Sequence, residues 1–370
     1  CCFFVSHSGA ALEDVHLCVD STFVHYKVGT FPVKPFCRSK AGGCRRTMLM
    51  QKRQADDTVA QAAWLYYVGN LSQQDVSKRL GISRFKVLRM LADAREQGLV
   101  RIMVEHRTSS TLALADQLVQ IFGLQEAQVA PVGAAKYDDS FARDAVAVLA
   151  SGYLARIAGT DCPVTVGVGW GRTLSKMADN LTGVRNNALT FVSLMGSVTH
   201  ASHTAPGDVC VRLAEQTGGR AILMPAPFIM DSADACAGIM SQRLVREALN
   251  VAKSADHALM SVGECQNGAI LFDSDIFDPE QIEELRAVDV VGDCCGVFYK
   301  ADGSVADIEL NRCTPCVQPV DMASMNTVML AGGMAKLDAT RAILRAGFIK
   351  KLLVDEALAR ALVAASHQGR

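Results

Sequence analysis

The sequence predicts an α/β protein in which a winged helix-turn-helix precedes a doubly wound, mostly parallel sheet. Three observations predict it. From residue 123 onward, short apolar runs alternate with amphipathic helical stretches. Continuous apolar strands are those of a parallel sheet covered by helices on both faces. Residues 72–97 carry two capped helical stretches joined by Leu80-Gly81-Ile82-Ser83, which is the spacing of a helix-turn-helix. The charge is also divided. Residues 1–47 carry 6 basic and 3 acidic side chains, residues 48–107 carry 10 and 6, and residues 108–370 carry 21 and 29. A basic segment joined to an acidic body points to nucleic-acid contact by the first part only.

Half of the 370 residues are apolar and a fifth are charged, which excludes a wholly disordered or fibrous chain. That length suggests about two domains. No apolar run approaches the roughly 18 residues of a membrane helix, so a soluble, cytoplasmic protein with no membrane partner is expected.

Residues 1–47 look foreign to the rest. They hold Cys1, Cys2, Cys18, Cys37 and Cys44 but none of the fourteen methionines. They show no sustained period and no signal-peptide pattern. A disordered or non-native extension is expected, with Met48 or Met50 as a natural start. No CxxC or CxxH pair supports a metal-binding arm there. The other eight cysteines lie in apolar stretches, as reduced core thiols do. Cys313-Thr-Pro-Cys316 and the His200/His203 pair lack the further ligands of a metal site, so neither a metal nor a cofactor is expected.

Residues 48–107 form the predicted winged helix-turn-helix. Residues 60–68 read as an amphipathic helix with Ala63, Leu65, Tyr66 and Val68 available for a core, stopped by Gly69-Asn70. Ser72 caps a helix over 73–80. Gly81 allows a sharp left-handed turn. Ser83 then caps a helix over 84–97 that Gly98 ends, and residues 99–105 alternate like a wing strand. Val76, Leu80, Ile82, Val87 and Leu91 fall where the helices face each other. The second helix carries Arg84, Lys86, Arg89 and Arg95. Cations for phosphates, and side chains near the helix start for base edges, are what a recognition helix needs. Ser83, Arg84, Phe85, Lys86 and Arg89 are therefore the candidate DNA-binding residues. Residues 108–122 read as a connecting helix with Leu112, Leu114, Leu118 and Ile121 on one face.

Residues 123–370 form the effector domain. Strands are expected at 127–132, 164–168, 189–194, 221–224, 257–262, 287–291, 327–331 and 351–354. Helices are expected at 142–157, 174–181, 210–216, 234–253, 279–285, 335–346 and 356–365. Ligands of such sheets sit at the carboxyl ends of the strands. There, Gly169-Trp170-Gly171-Arg172-Thr173 leads from strand to helix, and its backbone N–H groups, cation and helix start suit an anion. Arg172 replaces the third glycine of a dinucleotide fingerprint, and no Walker loop is present. Gly332-Gly333 ends a second strand, with Lys336 in the first turn of a helix. A cation is unfavourable to the dipole there, which suggests work elsewhere, such as meeting a phosphate. Gly292-Asp293 places a carboxylate after a third strand for hydroxyl groups. Of Asp355-Glu356, at least one reads as the cap of the last helix.

Taken in order, these motifs resemble the SorC family of bacterial sugar-responsive transcriptional regulators. The resemblance covers nearly all of residues 55–365. AAWLYYVGNLSQQDVSKRLGISR and AREQGLVRI are similar to the family's DNA-binding module. VGVGWGRTL, VGD, AGGMAK and VDEALA are similar to its effector domain. The resemblance implies a fold like that of sugar-phosphate isomerases and a phosphorylated sugar or polyol as effector. It implies operator DNA as partner and a homodimer or homotetramer. Gly169, Gly171, Arg172 and Thr173 would cradle the phosphate, Asp293 would hold hydroxyls, and Gly333 and Lys336 would complete the anion site. The recognition helix departs from the family at Phe85, Lys86 and Leu88, where small hydroxyl residues are more usual. The expected function is transcriptional regulation without catalysis. The alternative is an isomerase- or deaminase-like enzyme fused to a DNA-binding module. It would need an acid-base pair, for which Asp293 and Glu356 are the candidates.

Overall fold

The computed structural model describes residues 14–19, 22–27, 57–69, 71–96, 100, 109–132, 137–160, 162–198, 205–265 and 276–367. The expected wing at 99–105, apart from Val100, lies outside the described residues, as do Gly98, His200 and His203. The chain divides into two compact units, residues 1–102 and 103–370. Among the described residues no helix is long and apolar enough to cross a membrane.

In the first unit, β1 (Asp14–Val19) pairs antiparallel with β2 (Thr22–Lys27). This hairpin lies within the segment expected to be a disordered or non-native extension. Val15, Leu17 and Val19 do alternate, but over too short a stretch to register as a sustained period. Residues 57–63 are helical, and the helix continues through Trp64–Val68 as a π turn, closed by Gly69 N–H donating to Trp64 O at 2.9 Å. The wider turn rotates the face, so Leu65 is buried but Val68 points to solvent, contrary to expectation. α1 (Gln73–Leu80) is capped by Ser72, whose Oγ accepts from Asp75 N–H at 3.2 Å. Gly81 takes φ +65°, a conformation only glycine adopts cheaply. α2 (Arg84–Glu96) follows, with Ser83 Oγ accepting from Lys86 N–H at 3.3 Å. Val76, Val87 and Leu91 are buried where the two helices meet, and Leu80 and Ile82 pack against them.

The second unit opens with α3 (Ser109–Phe122). Leu114 and Leu118 are buried, but Leu112 is exposed. Two residues along a helix turn about 200°, so Leu112 and Leu114 cannot share a face. Then come β3 (Glu126–Ala130), α4 (Asp139–Ala158), β4 (Val164–Val168), α5 (Arg172–Asn180), β5 (Leu189–Ser193), α6 (Pro206–Thr217) and β6 (Arg220–Ile222). The expected single helix at 234–253 is two, α7 (Ala233–Met240) and α8 (Arg243–Lys253), because Gln242 takes an extended conformation and caps the second. β7 (His257–Glu264), α9 (Pro279–Ala287), β8 (Val290–Cys294), β9 (Val297–Lys300) and α10 (Glu309–Cys313) follow. The chain ends with β10 (Asn326–Ala331), a 3₁₀ turn Met334–Lys336, α11 (Leu337–Arg345), β11 (Lys351–Asp355) and α12 (Glu356–His367).

Seven strands form a parallel sheet in the order β3-β11-β10-β7-β4-β5-β6. Side chains of β10 alternate between two cores. Val328 and Leu330 join α4, α5 and α6 on one face, and Met329 and Ala331 join α3, α8, α11 and α12 on the other. Both faces are therefore covered, as the continuous apolar runs require. The strand expected at 287–291 instead runs over Val290–Cys294, antiparallel to β7, and turns into β9. Only Cys295 and Gly296 join β8 to β9, with φ +53° and +77°. Two-residue hairpins with positive φ at both positions match the twist of the flanking strands. Of the described cysteines, Cys162 is exposed rather than in the core, whereas Cys210, Cys236, Cys294, Cys295, Cys313 and Cys316 are buried.

Candidate functional site

β4 and β7 are neighbours, and the helix after β4, α5, packs on one face of the sheet while the next described helix after β7, α9, packs on the other. A crevice forms at the carboxyl ends of strands where the winding reverses in this way. Here it is a pocket lined by Trp170, Gly171, Arg172, Ser261, Val262, Gly263, Glu264, Asp293, Cys295 and Lys336.

The loop after β4 enters it through Gly171, whose φ is +142°. A Cβ there would overlap the Ser261 hydroxyl, and that hydroxyl donates to Trp170 O at 2.6 Å. The backbone therefore passes β7 closely only because residue 171 has no side chain. Gly171 is the N-cap of α5, with no side chain capping the helix, so its first N–H groups face the crevice side of the strand end. The Trp170 ring is held edge-on against Phe228, with centroids 5.0 Å apart.

Four of the expected effector residues meet in this cavity: Gly171, Arg172, Asp293 and Lys336. The other three lie beside it. Gly169 N–H donates to Leu259 O, joining the loop to β7. Thr173 is fully buried, and its hydroxyl has no partner among the described residues. Gly333 N–H donates to Asp355 Oδ2 at 2.9 Å and is spent on the fold. Glu356 pairs with Arg360 at 2.6 Å and does not line the cavity. Asp355, not Glu356, caps α12.

Lys336 reaches the site because the 3₁₀ turn after Gly333 points its side chain back across β7. Its Nζ donates to Val262 O at 2.6 Å. Burial draws its pKa below the usual lysine range, with the Glu264 carboxylate opposing. Asp293 arrives by a different route from the one expected. It does not follow a parallel strand but sits within β8, opposite Gly263 on β7. Burial pushes its carboxyl up to about 6, against the Gly296 N–H and Lys336, which both lower it.

Asp293 thus holds its proton more tightly folded than unfolded. Its contribution to stability is full below about pH 4 and is lost as pH rises through about 6, a change of roughly 2–3 kcal/mol. Asp293→Asn removes this titration. Denaturant unfolding of both proteins at pH 4.5 and 7 is expected to show the variant gaining about 2 kcal/mol relative to wild type at the higher pH. An equal difference at both pH values would mean that Asp293 titrates normally.

Sequence reasoning missed Glu264, Trp170 and Cys295. Glu264 was findable, since a glycine followed by a carboxylate at a strand end is the signal that singled out Asp293. Trp170 stands between two glycines already chosen. Cys295 enters through the β8–β9 turn, which lacks the Asn or Asp that usually announces such a hairpin.

In the first unit, Ser83, Arg84, Phe85, Lys86 and Arg89 are all exposed on α2. Phe85 is 85% exposed. Arg84 Nε donates to Gln73 Oε1 at 3.4 Å, linking the starts of the two helices. Basic side chains project from one end of α2 while Val87 and Leu91 face inward.

Residues 106–364 match a protein-family model described as "Putative sugar-binding domain". The erythritol catabolism regulatory protein EryD of Brucella abortus (strain 2308) is 32% identical over 313 residues, covering 84% of this chain and 97% of that protein. The structure of a DeoR family transcriptional regulator from Listeria monocytogenes aligns with a TM-score of 0.63 and 26% identity, over 69% of this chain and all of that one. The full-length sorbitol operon regulator SorC from Klebsiella pneumoniae shares the fold, with a TM-score of 0.65 and 23% identity over 82% of this chain and 97% of its own.

Proposed function

This chain belongs to the SorC family of sugar-binding transcriptional regulators, and from that premise we propose that a phosphorylated sugar or polyol controls its affinity for operator DNA. The observation that carries this reading is the convergence of Arg172, Lys336, Asp293 and Trp170 in one cavity at the carboxyl edge of the sheet. Cations for a phosphate, a carboxylate for hydroxyls and an aromatic face for a carbon skeleton are the groups such a ligand needs. Residues 48–107 act as a winged helix-turn-helix on DNA, residues 108–122 join it to the effector domain, and residues 1–47 belong to neither function. The test is a thermal-shift screen against sugar and polyol phosphates with their unphosphorylated counterparts. It is followed by affinity for DNA selected from a random pool, with and without the best ligand. A ligand that raises the melting temperature and leaves DNA affinity unchanged would refute the regulatory reading.

Arg84 and Arg89 are the cations placed to meet DNA. Replacing each by alanine is expected to weaken binding without unfolding the protein. A lost phosphate contact flattens the salt dependence by about one unit of slope, and a lost base contact costs about 1–3 kcal/mol. Unchanged affinity in both variants would show that α2 is not the reading helix.

A homo-oligomer is supported by α4, where Phe141 and Val148, two turns apart on one face, are exposed. Sedimentation of wild type against Phe141→Asp is expected to show a smaller assembly for the variant. One observation favours catalysis instead: the pocket holds Asp293, with its carboxyl near 6, beside Glu264, the kind of group that general acid-base chemistry uses. Turnover of the screened ligands would select that reading.

A further inference from the structure

The pocket's two cations are already partnered. Arg172 Nη2 lies 3.3 Å from Glu264 Oε1, and Lys336 Nζ lies 4.0 Å from Glu264 Oε2. Each carboxylate oxygen therefore faces one cation. Glu264 ends β7, beside the Gly263 that pairs with Asp293, and its side chain is only 11% exposed. A carboxylate spanning two cations presents them with the same pair of charged oxygens that a phosphoryl group would.

We propose that Glu264 is the specificity-determining residue of this pocket, an internal anion that holds Arg172 and Lys336 until a ligand phosphate displaces it. The proposal rests on the reading that the pocket takes a phosphorylated sugar or polyol. Glu264 and Asp293 can between them balance Arg172 and Lys336. Adding a dianion to that set would leave an excess of negative charge in a partly desolvated space, where repulsion is strong. A phosphorylated ligand must therefore break the Glu264 ion pairs, and its affinity is what remains after that exchange. An uncharged sugar requires no exchange. Glu264 stays in place and accepts hydrogen bonds from its hydroxyls, so the same side chain opposes one ligand class and assists the other.

The experiment is isothermal titration of the full chain with inorganic phosphate, ribose 5-phosphate and ribose. The proteins are wild type, Glu264→Gln, Lys336→Met and the double variant. Glutamine keeps a hydrogen bond to Arg172 but removes the competing charge. Glu264→Gln is expected to bind phosphate and ribose 5-phosphate about ten-fold more tightly than wild type, with ribose unchanged or weaker, and Lys336→Met added to it should cancel the gain. If Lys336→Met weakens ribose 5-phosphate while Glu264→Gln leaves it unchanged, the proposal is overturned and the phosphate pocket stands. A gain for ribose equal to that for ribose 5-phosphate also overturns it. No binding of either phosphate by wild type or Glu264→Gln overturns the pocket reading and the proposal together. Should Glu264→Gln show no melting transition, Glu264→Asp serves in its place. It withdraws the carboxylate by one methylene and must shift phosphate affinity in the same direction.

Discussion

Replacing Lys336 by methionine is expected to weaken a phosphorylated effector by about ten- to a hundred-fold, the worth of a charge-assisted contact of roughly 1.5–3 kcal/mol. Methionine fills nearly the same volume, so no cavity opens in the core beneath the 3₁₀ turn. Glu264 keeps Arg172 as its partner, and Asp293, which loses a cation that favours its charged form, can hold its proton instead. The carboxylate left over is thus neutralised rather than stranded, stranding being the usual reason that breaking an ion pair unfolds a protein. The folded state should therefore survive while the anion loses one of its two cations. Titration with the best ligand of the screen and with its unphosphorylated counterpart separates the two contributions. The phosphorylated ligand should lose affinity and its counterpart should not. DNA affinity should also stop responding to the phosphorylated ligand. If Lys336→Met binds it as tightly as wild type, the phosphate is not held at this edge of the sheet.

The parallel sheet was legible because burial on both faces leaves no polar alternation to confuse the strands. The run at 164–168 is matched residue for residue by β4. The two helices α1 and α2 were legible for a different reason. Ser72, Gly81 and Ser83 are chemical punctuation, and each performs the local act its side chain, or lack of one, permits. What stayed hidden depended on contacts distant in sequence. Whether Gln242 breaks a helix is decided by the packing of two faces, since glutamine itself is a good helix former. That β8 turns back at once into an antiparallel β9 follows from a two-residue turn made by Cys295 and Gly296, and cysteine carries no turn signal. The pocket divides along the same line. Arg172 and Lys336 stand next to glycines in the sequence and could be found there. That one carboxylate, Glu264, faces both of them is a fact of three strands meeting, and no spacing within the chain records it.

Asp355 is where a structural side chain and the site become inseparable, and its replacement by alanine is expected to cost the protein more than any surface change. The carboxyl is fully buried. Oδ1 accepts from the N–H groups of Ala357 at 3.0 Å and Leu358 at 3.1 Å, capping α12. Oδ2 accepts from Gly333 N–H at 2.9 Å, fixing the loop that carries Lys336. Tyr137 OH donates to Oδ1 at 3.4 Å. Alanine loses the cap, about 0.5–2 kcal/mol. It also leaves the Gly333 N–H buried without an acceptor, about 1–3 kcal/mol more. The two together predict roughly 2–5 kcal/mol, or a fall in melting temperature of about 4–9 °C if residues 103–370 unfold as one unit. Asparagine should fall between. Its oxygen can still cap α12, but its amide would turn a donor toward the Gly333 donor. Because Gly333 leads directly into the 3₁₀ turn, the alanine variant should also bind the effector less tightly below its melting temperature, although Asp355 does not line the cavity. Thermal unfolding of wild type, Asp355→Asn and Asp355→Ala, followed by ligand titration at a temperature where all three are folded, tests both halves. A fall of less than about 2 °C in the alanine variant would mean that water replaces the carboxylate at Gly333, and that the loop holding Lys336 is positioned by its own glycines rather than by β11.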